Sequence, residues 1–422
     1  MTEGDPLKLI LPFMVPLLIG NVFQQLYNIA DIIIVGRTIG VNALAAVGAT
    51  APLFMMLVVL TMGLSNGFTV VTGQRYGAGD LDGVRRSVAM STMLSLFFVL
   101  IMMLIATFAL DPALAAMNVP EELFEDAKSY VLIISHGIIA MMGYNLLAGI
   151  LRSLGDSKTP LYFLIIATIL NIFLALLCIV YIVKKFPILR LQKQDWHFDW
   201  NFAWEHLRMG LPMAVQFSVL GLGMIFIQAV CNKFGPTTIA AFTSAMRIEQ
   251  LALQPMISFG LSMAVFSAQN FGAHRFDRIR EGVKKCSLLA LCFSLFAAVI
   301  MYFFGREMIS IFISEANEQV LSQAQQYLHL SVPFYFFLSQ IFIYRNAVQG
   351  MGIAMIPMFS GIVELILRTS AAVYLIEYFG YSGICYASPI AWLGSSLFLF
   401  ASYHYFIRLL EDSYKQHAGI NG

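Results

Sequence analysis

The chain has 422 residues, of which 59% are apolar and only 12% charged, with a net charge of +1. That charged share is about half that of an ordinary soluble domain, and a soluble fold of this size cannot bury so much apolar surface in one core. A near-zero net charge without a basic block excludes an electrostatic nucleic-acid binder, and five scattered cysteines exclude a disulfide framework or a spaced zinc site.

Eleven apolar segments follow in order, at about 9–35, 43–71, 88–110, 129–151, 161–183, 211–230, 239–268, 287–304, 328–348, 356–375 and 384–406. Apolar stretches of about 20 residues recurring along a chain predict transmembrane helices, so the expected fold is an all-α polytopic membrane protein. The first segment contains "NVFQQLYNIADIIIVG". Asn21, Gln24, Asn28 and Asp31 recur there every three or four residues, which makes one polar stripe on a helix. A carboxylate inside an apolar segment is costly and needs a reason. In a low-dielectric surround it holds a proton readily and can exchange it for a cation. Asp31, with Asn28 and Gln24, is therefore a coupling or cation-binding candidate. The competing reading has Asp31 bonding backbone near a helix end.

Asn145 and Asn171, in the fourth and fifth segments, either face the same cavity or bond a neighbouring helix. In the second half, Glu249 either lines a cavity or pairs with Arg247. Arg345 and Asn346 are expected near the inner end of their segment, where an arginine can reach water. Glu364 and Arg368 lie four apart on one face and can pair, either as structural ballast or as part of a second cavity.

Lysine and arginine in short loops set the orientation. Arg75, Arg85 and Arg86, then Arg152 and Lys158, then Lys184 and Lys185, then Arg275 to Lys285, then Arg408 and Lys415 mark cytoplasmic loops. One stretch resists: "KTPLYFLIIATILNIFLALLCIVYIVKKFP", 158–187, has a basic turn at both ends and room for a single crossing.

The chain also repeats itself at a period near 195. "GQRYGAGDLDGVRRSV" (73–88) matches "AQNFGAHRFDRIREGV" (268–283), "GVNALAAV" matches "GPTTIAAF", and "LRSLGDSKTP" matches "VQGMGIAMIP" more loosely. Matched loops share their charge sign, so the halves are parallel repeats. The expected organisation is a first helical lobe at 1–183, a cytoplasmic linker at 184–207, a second lobe at 208–410 and a cytoplasmic tail at 411–422. No Walker lysine, Rossmann glycine fingerprint, HExxH or cysteine pair appears, so neither an enzyme nor a self-contained ATP-driven pump is expected.

Taken together, the duplication, the "QRYGAGD"/"QNFGAHR" pair, "LRSLGDSKTP" and the aspartate of "NIADIIIVG" resemble the multidrug and toxic compound extrusion (MATE) family, and more narrowly its bacterial DinF-type branch. The resemblance implies twelve helices in two six-helix lobes that open alternately, exporting organic cations and amphipathic drugs against inward protons or sodium. By position, Asp31 matches the family's first-helix coupling aspartate, Asn171 its fifth-helix asparagine, and Asn145 a polar fourth-helix position. Where the family often carries a second carboxylate, this chain has Ala175. It then runs into what looks like the end of helix six, so parts of helices five and six are expected to be missing. The second lobe lacks a first-helix carboxylate in "LPMAVQFSVLGLG", which leaves Glu249, Glu364 and Arg368 as its cavity candidates.

With one carboxylate in the first lobe, protons are expected over sodium, and no metal site is certain. The implied setting is a monomer in the bacterial cytoplasmic membrane, with small-molecule substrates, the lipid bilayer as surround, no nucleic acid and no cofactor beyond the coupling ion. Two alternatives stand beside it: a lipid-linked saccharide flippase of the same superfamily, and a shortened variant that transports nothing.

Overall fold

A computed structural model of the chain describes residues 1–38, 41–116, 121–167, 195, 197–231, 234, 236–310 and 318–417. For 25–38, 41–55 and scattered other positions the description is of the backbone. The described elements are all helical: α1 (Pro6–Thr38), α2 (Val41–Gly77), α3 (Leu81–Ala116), α4 (Glu121–Ser153), α5 (Lys158–Ala167), α6 (Trp200–Cys231), α7 (Pro236–Gly272), α8 (Phe276–Ser310), α9 (Glu318–Ser331), α10 (Tyr335–Gly350), α11 (Met355–Phe379) and α12 (Tyr381–His417). A single 3₁₀ turn, Val332–Phe334, joins α9 to α10, so the two form one membrane-length unit. Ten described spans are long and apolar enough to cross a membrane. They correspond to ten of the eleven apolar segments. The eleventh, 161–183, is described only as far as the end of α5; whether it crosses lies outside the described residues.

Aspartates start several helices. Asp5 Oδ1 accepts from Leu7 N–H at 2.8 Å, and Asp199 Oδ1 accepts from Asn201 N–H at 2.8 Å. Asp80 does the same for Gly83 at 2.8 Å, and Asp156 for Thr159 at 3.0 Å. Each satisfies an amide that the helix itself leaves unpaired.

The duplication is written into the turns. Between α2 and α3, Gly79 takes φ +75° while Ala78 and Asp80 donate to the carbonyls of Gln74 and Arg75. Between α7 and α8 the same bonds recur, from Ala273 and Arg275 to Gln269 and Asn270, with His274 at φ 56° where the first half has glycine. Stacking on Tyr414, ring centroids 4.2 Å apart, holds His274 in that unfavourable backbone region. Gly155 and Gly352 close α4 and α10 with φ near +90° in both halves.

By packing, the chain forms two compact units, one of residues 19–218 and one of 1–18 with 219–422. The helices α1 and α6 each contribute residues to both. The expected lobes follow the repeat, whereas these units follow the proximity of the backbone. The expected linker is helical in its last part, because α6 begins at Trp200, and α12 carries the expected tail as helix to His417. Each unit has its own apolar core. In 19–218 the core includes Leu64, Phe68, Val84, Met142 and Ile150. In the other unit it includes Phe242, Phe266, Tyr327, Tyr335 and Leu399.

Small residues bring the helices of the first unit close. Gly63 and Gly67 of α2 lie against Ala214 and Gly210 of α6, a four-residue spacing on both sides. A Cβ on Gly63 would stand 2.6 Å from Ala214 Cα, so the backbones have no room for a side chain. Gly63→Leu is expected to cost about 1–3 kcal/mol by overpacking. Thermal unfolding of the purified protein in detergent measures it, and an unchanged midpoint would contradict this close approach.

Candidate functional site

The described charges buried together lie in the unit of 1–18 and 219–422, where α7, α9, α10 and α11 each supply one or two side chains. Glu364 and Arg368, one helical turn apart on α11, pair as their spacing predicts: Arg368 Nη2 donates to Glu364 Oε1 at 2.6 Å. Glutamate on the N-terminal side of the cation is the better orientation on a helix. Arg345 of α10 donates through Nη2 to the other oxygen, Glu364 Oε2, at 3.1 Å. One carboxylate thus bridges two guanidiniums, and all three residues are at most 5% exposed.

This corrects the expectation that Arg345 reaches water at the end of its span. Its head is buried because an acid on the neighbouring helix receives it, and a buried charge persists when paired. Asn346 beside it bonds its own helix, donating to Phe342 O at 2.8 Å.

Glu249 of α7 is also 5% exposed, while Arg247 is exposed. Residues two apart lie on different faces of a helix, and the α7–α9 packing instead brings Tyr327 to Glu249. The phenol donates to Glu249 Oε2 at 2.9 Å, with Met246 Sδ 3.4 Å from the hydroxyl and Phe242 packed edge-on at 5.3 Å. Arg368 and Tyr335 act on Glu249 electrostatically. The described cluster therefore holds two carboxylates and two guanidiniums. The Nε atoms of both arginines are buried without a hydrogen-bond partner among the described residues. An unpaired buried donor of this kind costs about 1–3 kcal/mol.

Tyr327 was not singled out by sequence. The signal that would have found it is weak: one tyrosine on the apolar side of α9, in a chain with 17 of them.

The first-half candidates fare differently. Gln24 is exposed and Asn145 half-buried. The side chains of Asn28 and Asp31 and the whole of Asn171 lie outside the described residues, as does Ala175. A cavity of about 1040 Å³ opens beside the α2–α3 turn of this unit, lined by Arg75, Asp80, Arg86, Asp195, His197 and Glu205 among others. Arg75 crosses to α6 and pairs with Glu205 at 2.6 Å. Its mixed charge suits water and ion pairs.

Membrane-length helices, a duplicated architecture and buried ionisable groups define a polytopic membrane transport protein. The MatE family model matches the chain twice, at residues 16–177 and 212–373, once in each repeat. The chain belongs to the MatE family, and as a member of that family of transporters it is a multi-pass membrane protein and not an enzyme. It is 26% identical to the probable multidrug resistance protein YpnP of Bacillus subtilis (strain 168) over 441 aligned positions, covering 96% of each chain. It is 26% identical to YoeA, a probable multidrug resistance protein of the same organism, over 82% of this chain and 81% of that one. Among solved structures, that described as the crystal structure of MATE in the bent conformation superposes with a TM-score of 0.89 at 23% identity, covering 97% of this chain and 97% of that one. At that identity the likeness is one of fold.

Proposed function

We propose that the protein is a proton-coupled antiporter exporting amphipathic organic cations and drugs across the bacterial cytoplasmic membrane, acting as a monomer of the DinF-type branch. The observation that carries the reading is the family match in both repeats, over helices of membrane length. In the proposed cycle Asp31 takes a proton from outside, which closes its cavity and expels the substrate. Loss of that proton to the cytoplasm resets it. Protons are favoured over sodium because a sodium ion wants several free oxygens. In the described cluster both Glu364 oxygens are bonded to arginine and one Glu249 oxygen to tyrosine.

The shortening also bears on function. The alignment with YpnP runs to 441 positions against a chain of 422 residues, so that relative carries residues this chain lacks. We assign the loss to helices five and six, on the junction at Ala175.

Ethidium efflux from cells expressing the protein tests the reading. One proton exchanged for one monocation moves no net charge, so the pH gradient alone drives it. One pH unit then sustains at most a roughly tenfold gradient. Nigericin, which collapses the pH gradient, is expected to stop efflux, whereas valinomycin with potassium leaves it running. Efflux that requires sodium and survives nigericin would replace the proton. No efflux of any dye would leave the non-transporting variant.

A further inference from the structure

The buried cluster has more hydrogen-bond donors than its acids can use. Each guanidinium carries five N–H groups in a fixed fork, yet Arg345 and Arg368 share the one carboxylate of Glu364, each placing a single Nη2 on a single oxygen. Both Nε atoms are buried and unpartnered among the described residues. The second acid, Glu249, is turned toward the Tyr327 hydroxyl and meets Arg368 only through space. On α6 the residue beside the Arg368 head is Gly223: a Cβ there would lie 3.0 Å from Nη1 and 3.7 Å from Cδ. The α6 backbone therefore passes over the guanidinium with no side chain between them.

We propose that Arg345 and Arg368 form a recognition site for one singly charged anionic group, a carboxylate or a phosphate monoanion, on an amphipathic transported ligand. The proposal rests on the transport reading above and extends its substrate class from plain organic cations to ligands that also carry an anion.

The charge count gives the rest. With Glu249 ionised, the two arginines and two glutamates balance. With Glu249 protonated, the cluster holds one surplus positive charge, and one monoanion restores neutrality in a place where unbalanced charge is expensive. The groups that face Glu249 are Tyr327 from α9, Tyr335 from α10 and Arg368 from α11, and Arg345 and Glu364 complete the cluster. A pyrophosphate, with two or more charges, exceeds the surplus, which separates this site from that of a lipid-pyrophosphate flippase.

A matched pair of dyes tests it. Rhodamine B carries a carboxylate on a cationic ring system, and its ethyl ester carries the same rings without the anion. Binding of each to the purified protein in nanodiscs is read by fluorescence polarisation. The expected result is that rhodamine B binds at least about tenfold more tightly than the ester, since charge-assisted bonds to a buried arginine pair are strong. Arg345→Gln and Arg368→Gln should each collapse that ratio toward one, and Glu249→Gln should raise it. Gly223→Val leaves every charge in place and crowds the Arg368 head, with the new Cβ 3.0 Å from Nη1; it too should collapse the ratio, and it keeps the proposal open to refutation if an arginine variant fails to fold. Displacement by benzoate against phenyl phosphate decides which anion the fork takes. Equal affinity for the two dyes in the wild type, or a preference that survives both arginine substitutions, would overturn the proposal. Ethidium efflux in the same strains separates the two readings: efflux without dye preference defeats this site alone, and no efflux at all defeats the transport reading.

Discussion

Glu364→Gln is expected to lower the stability of the protein by about 3–5 kcal/mol, the usual consequence of removing one partner from a buried ion pair. The loss is one of charge rather than shape. Glutamine fills the same volume and keeps one oxygen acceptor, but the two guanidiniums that shared the carboxylate at 2.6 and 3.1 Å are left without it. Neither arginine can reach water by a small movement, since each is about 4% exposed. At a few degrees per kcal/mol for a domain of about 200 residues, the midpoint of thermal unfolding should fall by roughly 10 °C. Arg345→Gln should cost less, because it leaves one acid and one base in contact through Arg368. Glu249→Gln should cost less again: Tyr327 can still donate to the amide oxygen, and a neutral hydrogen bond of this kind is worth about 1 kcal/mol. The ordering matters more than any single value. If Glu364→Gln melts with the wild type, the three-residue bridge does not hold the unit together.

That ordering separates what the sequence carried from what it hid. The Glu364–Arg368 pair was legible because a spacing of four fixes both residues on one helix face, whatever the rest of the chain does. The third member, Arg345, was misread as reaching water. Its burial depends on an acid nineteen residues away on the next helix, and helical periodicity says nothing about which face of one helix meets which face of another. The Glu249–Tyr327 bond spans 78 residues and hides for the same reason. The close α2–α6 approach is different: a glycine inside an apolar segment, as at Gly63, itself points to close packing or a local break. Gly63 and Gly67, with Gly210 and Ala214, stand at the small-residue spacing that lets membrane helices touch, so the signal was present in the letters.

The turns of the repeat could be read in advance because their chemistry is local. "QRYGAGD" and "QNFGAHR" produce the same backbone bonds, even with His274 where glycine is the easier residue. The packing units could not be read, because α1 and α6 continue without a break from one unit into the other and an unbroken helix carries no boundary signal. The stretch at 158–187 keeps its contradiction: α5 is described to Ala167, and both basic turns still ask for the same side of the membrane.

Asp31→Asn should abolish dye export while leaving the fold in place. Asparagine has nearly the size of aspartate and keeps a hydrogen-bonding oxygen, so the polar stripe of Asn21, Gln24, Asn28 and residue 31 persists as a surface. What disappears is the change of charge. An antiporter must bind proton and substrate alternately, and a side chain that cannot ionise gives the two nothing to compete for. Dye movement would then follow the dye's own electrochemical gradient, and the roughly tenfold outward ethidium ratio that one pH unit supports should be lost. Ethidium retention in energised cells measures the loss, and thermal unfolding of the purified variant shows that the fold survives. Full export by Asp31→Asn would remove the first half from the coupling step. In the second repeat the described buried acid without an arginine hydrogen-bonded to it is Glu249, held by Tyr327. Glu249→Gln would then be the variant expected to stop transport, and the second half of this duplicated chain would carry the coupling role that the family resemblance implies for the first.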